Sequence, residues 1–437
     1  MISLRGFYIL LSIPIKLLLV LIKYPFFGGL NEKFKNDLKN SLKLQLFRSA
    51  ISIPVKDAIY INILNNYSLI NKLLKFLYPN LTKLNKYGTR YDKQSIWLVE
   101  APNRSKKDPI IIYLHGGGYY IETQPSQLES LLSIYYLLDK ENQSNLSILH
   151  LDYKLASNGH ILTTQLYQLA ETYKKLTEED GNSNIILMGD SAGGNLAITF
   201  LQYLKQQKQK QKTNNLNIIW PKSLILISPW CKIHPEPHNN TKGWSYFENS
   251  KRDMIQYRFF QEVDRQKAII GDLNHMDLLV SPGNLPYKYS DWDDIPTLTQ
   301  RGNSIFVIMG EHEVFRDDIL EWCQYAVKSP LIKQKLDSKG LIDVKLHEYK
   351  SNDPNKPLVE VFIEPWGVHD SVLFFEDDII NKVKKNKNLK IGTLDRKKYF
   401  GIVKIVEFLN KTLSSSNNDN LQEEDGSVVL VNGDEKI

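Results

Sequence analysis

Gly189-Asp190-Ser191-Ala192-Gly193 decides the fold of this chain, together with His115-Gly116-Gly117-Gly118 upstream of it. The first stretch has the pattern G-x-S-x-G, in which two glycines permit a strained turn from a strand into a helix and lift a serine hydroxyl above a sheet. The second is an H-G-G-G turn, which offers backbone N–H groups to an oxyanion. By residue frequencies the two patterns would occur by chance about 0.1 and about 0.001 times in such a chain. Together they predict a nucleophilic serine that attacks esters.

Short apolar runs lead into both motifs. Residues 110–114 and 184–188 are almost wholly apolar, end directly before the motifs, and have a length typical of buried strands. Residues 195–204 have the spacing of an amphipathic helix. The order strand, turn, helix predicts an α/β fold with a mostly parallel sheet flanked by helices. It also places Ser191 at a helix N-terminus, where developing negative charge is favoured.

These residues resemble the hormone-sensitive-lipase branch of the α/β-hydrolase superfamily. Residues 115–118 and 189–194 match its two signatures, and residues 152–156 are similar to its D-Y-R-L-A segment, with Lys154 in place of arginine. The resemblance covers approximately residues 90–410 and implies an α/β-hydrolase fold. Within this branch the layout is most similar to the arylacetamide deacetylases and the fungal steryl acetyl hydrolases, which carry a membrane anchor before the hydrolase domain.

A nucleophilic serine needs a base within hydrogen-bond reach and an acid that orients the base. In α/β-hydrolases the acid and then the histidine follow the serine along the chain. His347 and His369 both lie far enough downstream. His347 falls in an alternating pattern typical of a strand, whereas His369 follows a proline- and glycine-punctuated loop before an apolar helix. We therefore expect His369 to be the base, with a helix-capping loop histidine as the alternative.

The acid is expected directly after a strand, and residues 304–309 form an apolar run of strand length. The resemblance places the family pattern D-x-L-x-D on Glu313 to Asp317, which implies Glu313 as the orienting carboxylate. Glutamate stands where the family usually has aspartate, and it serves in this role elsewhere in the fold. Asp317, Glu311 and a merely solvated charged turn are the alternatives.

The oxyanion formed during attack is expected to accept hydrogen bonds from backbone N–H groups of the two glycine-rich turns. The candidate donors are Gly116, Gly117, Gly118 and Ala192. His115 and Tyr119 flank the first turn and are expected to shape it. The mechanism needs no cofactor and no metal, and three histidines in the middle of the chain lack a recognisable ligand spacing. These are His234, His238 and His275.

Length and composition allow one large domain with attachments, since the chain has 437 residues, 42% hydrophobic and 24% charged. The net charge of +6 is mild and dispersed, so nucleic acid is not an expected partner. The expected partners are a small apolar ester and a membrane. The sequence leaves open whether its two cysteines, Cys231 and Cys323, form a disulfide.

The chain divides into four predicted parts. Residues 1–30 are a membrane anchor, 31–90 an N-terminal cap of helical segments, 91–413 the hydrolase domain, and 414–437 a disordered acidic tail. An insertion at about 232–286 is predicted to add to the cap. Its aromatic residues are candidates for lining an apolar pocket, with core packing as the alternative. These are Trp244, Tyr246, Phe247, Tyr257, Phe259 and Phe260.

Residues 7–22 form the most hydrophobic stretch of the chain. Extended to Phe27, it would make a helix about 31 Å long, enough to cross a bilayer core. Lys16 near its middle costs about 2.5 to 3.5 kcal/mol and Pro14 costs more, so the predicted span is marginal. No small-residue cleavage site follows, which favours a retained single-pass anchor over a signal peptide. A core helix of the globular domain is the alternative.

Two signals disagree about which side of the membrane the domain faces. Lysines concentrated between residues 23 and 43 favour the cytosol. Against them stand seven N-x-[ST] sequons, where about three to four would occur by chance. The sequons begin at Asn66, Asn80, Asn103, Asn142, Asn145, Asn239 and Asn410. The resemblance to lumenally facing deacetylases implies a glycoprotein of the endoplasmic reticulum membrane with a lumenal catalytic domain.

The sequence thus predicts a serine carboxylic-ester hydrolase that removes a short acyl group, in particular acetyl, from an apolar alcohol. The resemblance implies steryl acetate as the substrate, with aryl or xenobiotic esters and acylglycerols as alternatives. A hydrolase-fold receptor that binds a ligand without turnover is the non-enzymatic alternative. The presence of serine, acid and histidine in the required order favours the enzyme.

Overall fold

A computed structural model describes most of the chain. The described residues are 1–210, 218–284, 286–333, 338–351 and 353–424, with side chains up to residue 414. Cys231 and Cys323 are both buried free thiols, so the cysteines do not pair.

Eight strands form one sheet, and six of them run parallel. Their order across the sheet is β1-β3-β2-β4-β5-β6-β8-β7, with the two edge strands β1 and β7 antiparallel to their neighbours. The strands are β1 Ser95–Val99, β2 Ile110–Leu114, β3 Ser147–Leu151, β4 Ile185–Asp190, β5 Ser223–Ile227, β6 Ser304–Gly310, β7 Glu348–Lys350 and β8 Leu358–Glu364. The predicted mostly parallel sheet is confirmed.

The sheet lies in the middle of the core. Every residue of β1 to β6 is buried, the pattern expected when helices cover both faces of a parallel sheet. The helices of eight or more residues in the described part of the chain are α1 Leu4–Phe27, α2 Leu38–Ile51, α3 Pro125–Leu137, α4 Thr164–Lys174, α5 Ala192–Lys210, α6 Val263–Ile270, α7 Arg316–Ala326 and α8 Phe400–Glu424. Shorter helical segments in the cap include Val55–Tyr60, Asn66–Ser68, Leu69–Leu74, Lys75–Leu77, Ser245–Glu248 and Tyr257–Gln261.

Loops from four parallel strands meet at the carboxyl end of the sheet. The H-G-G-G turn follows β2, Ser191 follows β4, Glu313 lies three residues past β6, and His369 lies in the loop after β8. Ligand sites of open α/β sheets form at this end. The sheet therefore brings together residues that are far apart in the sequence.

Two segments cover this end of the sheet. The N-terminal segment is bonded to the loop after β2, since Asn62 Nδ2 donates to the Tyr120 carbonyl at 3.0 Å and Asn66 Oδ1 accepts from the Thr123 N–H at 3.1 Å. The insertion after β5 packs against the start of α7, which follows β6, where Ser245 N–H donates to Asp317 Oδ2 at 2.8 Å. Both segments form a roof over the candidate site.

Helix α1 is the one described helix that is long and apolar enough to cross a membrane. Only 17% of the residues in its most apolar stretch are buried, so it is not a core helix of the globular domain. Ser3 caps its N-terminus by accepting from the Gly6 N–H. Pro14 and Pro25 both lie inside the helix.

The structure departs from the sequence predictions at two places in the C-terminal part of the chain. Val344–His347 is a single helical turn and not a strand, because Asp343 caps it and the strand begins only at Glu348. Helix α8 continues past residue 413, the predicted end of the hydrolase domain, to Glu424. The rest of the predicted disordered tail, 425–437, lies outside the described residues.

Three of the seven predicted glycosylation sites do not lie on the surface. Asn66, Asn142 and Asn239 are buried, at most 2% exposed. Asn66 Nδ2 donates to Asp152 Oδ1 at 3.1 Å, and Asn142 Nδ2 donates to Asn410 Oδ1 at 3.2 Å. A glycan on either buried amide would break these bonds, so the structure gives no support to Asn66 or Asn142 as acceptors, and their use stays a prediction. Of the other sequons, Asn80 and Asn103 are exposed and Asn145 and Asn410 are half-buried.

Candidate active site

Ser191 occupies a strained turn between β4 and α5. Its φ of 50° lies in the left-handed region, which non-glycine residues rarely adopt. The flanking glycines make the turn possible: a Cβ on Gly193 would lie 1.8 Å from the Leu114 carbonyl oxygen, and one on Gly189 would lie 2.3 Å from the Gly193 oxygen. The sequence pattern G-x-S-x-G is therefore a steric requirement of this turn.

His369 bridges Ser191 and Glu313 in one hydrogen-bonded line. Its Nε2 lies 2.9 Å from Ser191 Oγ, and its Nδ1 lies 2.8 Å from Glu313 Oε1. All three residues are buried, with at most 6% of their surface exposed. The arrangement holds a hydroxyl, an imidazole and a carboxylate at the distances that nucleophilic catalysis requires.

The longer side chain of Glu313 is fixed by its second carboxylate oxygen. Oε2 accepts from Ser228 Oγ at 2.8 Å and from the Gly310 N–H at 2.9 Å. The two alternative acids point elsewhere: Asp317 accepts from the Ser245 N–H, and Glu311 accepts from the Trp366 N–H. Glu313 is thus the one of the three carboxylates that contacts His369.

Asp253, a residue of the insertion, accepts hydrogen bonds from the loop that carries His369 and from the residue after Glu313. The sequence analysis did not identify it. Its Oδ1 accepts from the His369 N–H at 2.9 Å, and its Oδ2 accepts from the Val314 N–H at 2.7 Å. Burial raises the pKa of Asp253 to about 6, although the nearby His369 opposes the shift. No local pattern marks this residue, because it contacts the site only after the insertion has folded.

Asp370 was also missed, although it directly follows the candidate base. Its Oδ2 lies 3.2 Å from His369 Nε2, and its Oδ1 is buried without a hydrogen-bond partner among the described residues. Burial raises the pKa of Asp370 well above its usual value, against the opposing effect of His369. Burial lowers the pKa of His369, but the carboxyl groups of Asp370 and Glu313 outweigh it and raise that pKa above the ordinary value.

The H-G-G-G turn lies beside Ser191, but its three glycines are not equivalent. Gly117 and Gly118 have φ of 109° and 60° and line the cavity above the serine. Gly116 instead lies against the Asp190 carboxylate, where a Cβ would come within 2.3 Å of Asp190 Oδ2. Gly116 is not among the described residues that line the cavity, and its role as an oxyanion donor stays a prediction. Ala192 follows the serine at the first position of α5.

Buried polar side chains fix the turn from behind. Asp190 accepts from Tyr113 Oη at 2.6 Å and from Gln127 Nε2 at 2.7 Å, and burial raises the pKa of Asp190 to about 6. Tyr153, from the segment similar to D-Y-R-L-A, donates to the His115 carbonyl at 2.6 Å, and its ring stacks on the His115 ring at 4.1 Å. The flanking residue His115 thus shapes the turn, as expected from the sequence.

A cavity of about 370 Å³ lies above Ser191, His369 and Asp370. Its wall is largely apolar. The N-terminal segment contributes Leu46, Phe47, Ile51 and Ile63, and the insertion contributes Met254, Ile255 and Phe259. Of the six insertion aromatics predicted as candidates, only Phe259 is among the described residues lining the cavity, while Tyr246 and Phe260 pack in the core.

Comparisons with known proteins identify relatives of this chain. The Schizosaccharomyces pombe protein "Putative steryl acetyl hydrolase mug81" is 30% identical over 403 residues, covering 86% of this chain and 99% of that protein. Steryl acetyl hydrolase 1 of Saccharomyces cerevisiae is 29% identical over 127 residues, which cover 28% of this chain and 27% of that protein. The crystal structure of EstE7, a homologue of hormone-sensitive lipase from a metagenome library, superposes with a TM-score of 0.51 at 18% identity, covering 85% of this chain and 97% of EstE7. The last likeness supports the α/β-hydrolase fold alone.

The profile of the steryl acetyl hydrolase family matches residues 6–344. This range contains both glycine-rich motifs and Glu313 but ends before His369, so the placement of the histidine rests on the geometry described above. The family match and the relative similar over most of the chain confirm that the protein is a carboxylic ester hydrolase. The chain belongs to the steryl acetyl hydrolase family.

Proposed function

We propose that the protein hydrolyses acetyl esters of apolar alcohols, with Ser191 as nucleophile, His369 as general base and Glu313 as the carboxylate that orients the base. The observation that carries this proposal is the buried line from Ser191 Oγ through His369 to Glu313 at the floor of an apolar cavity. An intact line of this kind also argues against a receptor that binds esters without turnover.

In the first half of the proposed reaction, Ser191 Oγ attacks the ester carbonyl carbon while His369 Nε2 takes the hydroxyl proton. Backbone N–H groups of Gly117, Gly118 and Ala192 stabilise the oxyanion, and each such donor is worth about 3 to 4 kcal/mol in comparable sites. The carbon–oxygen bond to the alcohol then breaks, and His369 returns the proton to the departing alkoxide. The products are the free alcohol and an acyl-serine.

In the second half, a water molecule attacks the acyl-serine carbonyl while His369 takes its proton. The bond to Ser191 Oγ breaks, His369 protonates the serine, and the short carboxylic acid leaves. Glu313 accepts a hydrogen bond from Nδ1 throughout and stabilises the imidazolium formed in each half. No step consumes a cofactor.

Steryl acetate is the substrate we propose, supported by the apolar cavity wall and by family membership. Aryl acetates and acylglycerols are the competing substrates. The proposed location is the lumenal side of the endoplasmic reticulum membrane. It is supported by the apolar helix α1 and by two exposed sequons, Asn80 and Asn103, and a shift in gel mobility after endoglycosidase H treatment would test it.

The proposed substrate is tested by following release of the free carboxylic acid from a steryl acetate, a diacylglycerol and p-nitrophenyl esters of graded acyl length. We expect kcat/KM to be highest for steryl acetate and to fall as the acyl chain lengthens. The Ser191→Ala protein, assayed in parallel, gives the background rate. Faster turnover of long-chain acylglycerols than of steryl acetate would reject the substrate while leaving ester hydrolysis in place.

A further inference from the structure

Glu122 places an acidic side chain in the largely apolar wall of the cavity. It lies four residues after Gly118, in the loop that follows β2, and is half-buried. Its backbone is hydrogen-bonded, but its carboxyl group has no hydrogen bond or ion pair with any other described residue. Removing an acidic group from water without giving it a partner costs free energy. A ligand in the cavity is therefore expected to supply the missing partner.

The backbone of Glu122 is fixed on both sides. Its N–H donates to Asn62 Oδ1 at 3.1 Å, and its carbonyl accepts from Gln124 Nε2 at 2.9 Å. Upstream, the Ile121 N–H donates to the Gly117 carbonyl at 2.9 Å and closes a turn directly after the H-G-G-G motif. The four residues from this motif to Glu122 would span about 14 Å if extended, and the turn shortens this distance. Glu122 thus has a fixed place close to the expected oxyanion donors.

The other acidic and amide side chains that line the cavity already have partners in the protein. Gln124 Nε2 donates to the Glu122 carbonyl, and Gln127 Nε2 donates to Asp190 Oδ2 at 2.7 Å. Asp370 contacts the histidine of the catalytic line at 3.2 Å. Among the described residues of the wall, Glu122 is therefore the acidic residue that is left to contact a substrate away from its ester group.

A hydroxyl group suits this position better than a charged group does. Burial raises the pKa of Glu122 to about 7, and the negative charge of Asp152 adds to the shift. Near neutral pH the carboxyl group is thus present in both forms. A hydroxyl donates to the ionised form and accepts from the protonated form, so it pairs with both. An ammonium group pairs with the ionised form only and would lose its hydration against the apolar wall.

We infer that Glu122 hydrogen-bonds a second hydroxyl group on the alcohol portion of the substrate and is a residue that determines substrate specificity. The preferred substrates are then acetyl esters of apolar alcohols that carry a further hydroxyl, such as a hydroxylated steryl acetate or a diol monoacetate. A plain hydrocarbon at this position would cover the carboxyl group without replacing its bonds to water, which disfavours binding. The ester in this inference rests on the proposed function, whereas the contact with Glu122 concerns binding alone.

The inference is tested on the full chain with monoacetates of straight-chain diols of graded length and with the n-alkyl acetates of the same lengths. We expect the ratio of kcat/KM between the hydroxylated ester and its plain counterpart to peak at one length, at about tenfold or more. Glu122→Leu should bring this ratio to about one at every length. Glu122→Gln should keep part of it, because an amide still forms hydrogen bonds with a hydroxyl. Equal ratios in the unsubstituted and Glu122→Leu proteins would overturn the inference, as would a larger gain from the matched amino-alkyl acetates.

Glu129→Leu is the matched control. Glu129 is half-buried as well, and burial raises its pKa, but it accepts from Tyr78 Oη at 2.8 Å and is not among the described residues that line the cavity. We expect this variant to keep the ratio of the unsubstituted protein. Turnover of p-nitrophenyl acetate within about twofold in every variant reports an intact catalytic site. A ratio that falls in Glu129→Leu as far as in Glu122→Leu would overturn the specific role of Glu122.

Binding measurements separate this inference from the proposed function. The same esters are titrated into the Ser191→Ala protein in a calorimeter, with and without the additional change Glu122→Leu. We expect a Kd ratio of about tenfold between the plain and the hydroxylated ester, lost when Glu122 is replaced. If the unsubstituted chain hydrolyses none of the esters, the proposed function fails while this Kd ratio still supports the contact. A Kd ratio near one at every length would overturn the inference.

Discussion

The floor and the roof of the cavity are built in opposite ways. On the floor, Ser191, Glu313 and His369 are buried, and hydrogen bonds to neighbouring side chains and backbone groups hold them at the ends of parallel strands. On the roof, the residues that line the cavity, such as Leu46 and Ile63, are mostly apolar and partly exposed, and their hydrocarbon side chains form no hydrogen bonds. In the proposed function, directional bonds fix the geometry of the reaction, whereas non-directional apolar packing selects the ester that fits.

This contrast has a consequence for substitutions. A change on the floor removes a group that acts in the transition state, so kcat should fall for every ester. A change on the roof alters binding of the alcohol portion, so KM should change and only for bulky substrates. The following predictions test the contrast, beginning with the largest expected effect.

Replacing the nucleophile should have the largest effect. We expect Ser191→Ala to lower kcat by about 10⁵-fold or more for steryl and p-nitrophenyl esters alike, because the covalent route is lost. The thermal midpoint of unfolding should stay close to that of the unsubstituted protein, since only one oxygen is removed. Turnover within about tenfold of the original rate would mean that another residue attacks the ester.

Replacing the carboxylate of Glu313 should cause the second largest loss of activity. Glu313→Gln is expected to lower kcat by more than about 10²-fold, because an amide cannot stabilise the imidazolium of His369. Asp317→Asn is the matched control, since Asp317 is equally buried and only four residues away but contacts Ser245 and Arg316 instead of the histidine. Steady-state kinetics of both proteins on one soluble ester decide the matter, and the reverse ranking would transfer the role to Asp317.

Weakening the hydrogen bonds that Asp253 accepts should have an intermediate effect. Asp253→Asn removes a carboxylate oxygen that accepts from the His369 or Val314 N–H, so the histidine loop loses part of its support. We expect kcat to fall about tenfold with KM nearly unchanged, the pattern of a positioning residue. A rise in KM at constant kcat would instead assign Asp253 to substrate binding.

On the roof, Phe259→Ala should act on bulky substrates only. Phe259 lines the cavity and is 8% exposed. Its replacement by alanine enlarges the cavity and removes apolar contacts with the alcohol portion of the ester. We expect KM for steryl acetate to rise about fivefold, with p-nitrophenyl acetate kinetics within twofold. Phe247→Ala, at an exposed position of the same insertion, should leave both substrates unaffected. A kcat loss on the small ester would break the division between floor and roof.

The smallest expected effect is a pH shift. His369 acts as a base only when neutral, so kcat/KM should be lost as the pH falls through its pKa, which Asp370 and Glu313 raise above the ordinary value. Asp370→Asn removes one of these carboxyl groups and should therefore lower that pKa and move the acidic limb of the profile to lower pH. A pH–rate profile of kcat/KM checks this, and an unmoved limb or a shift to higher pH would contradict it.

Much of the floor could be predicted from the sequence because its constraints are local. The turn at Ser191 needs glycine at positions 189 and 193, and that steric need leaves a pattern in neighbouring residues. The strands that precede the two glycine-rich turns are short apolar runs, because a parallel sheet covered on both faces buries every side chain. The confirmed fold class follows from these two local signals.

Contacts between distant segments could not be predicted. Asp253 lies 116 residues from His369 in the sequence, and nothing near it signals the bond. Likewise, the sequons at Asn66 and Asn142 give no sign that their amides are buried by pairing with other elements. Each failure concerns where a side chain's hydrogen bonds go, which only the folded chain decides.

The most direct test of the central claim is to find which atom of the protein becomes covalently modified during catalysis. The folded protein is treated with a fluorophosphonate ester, digested and analysed by tandem mass spectrometry, with a parallel sample of Ser191→Ala. We predict one stoichiometric phosphonyl adduct on Ser191, complete loss of esterase activity as it forms, and no adduct in the variant. An adduct on another residue that tracks the loss of activity, or full esterase activity after complete modification of Ser191, would contradict the account.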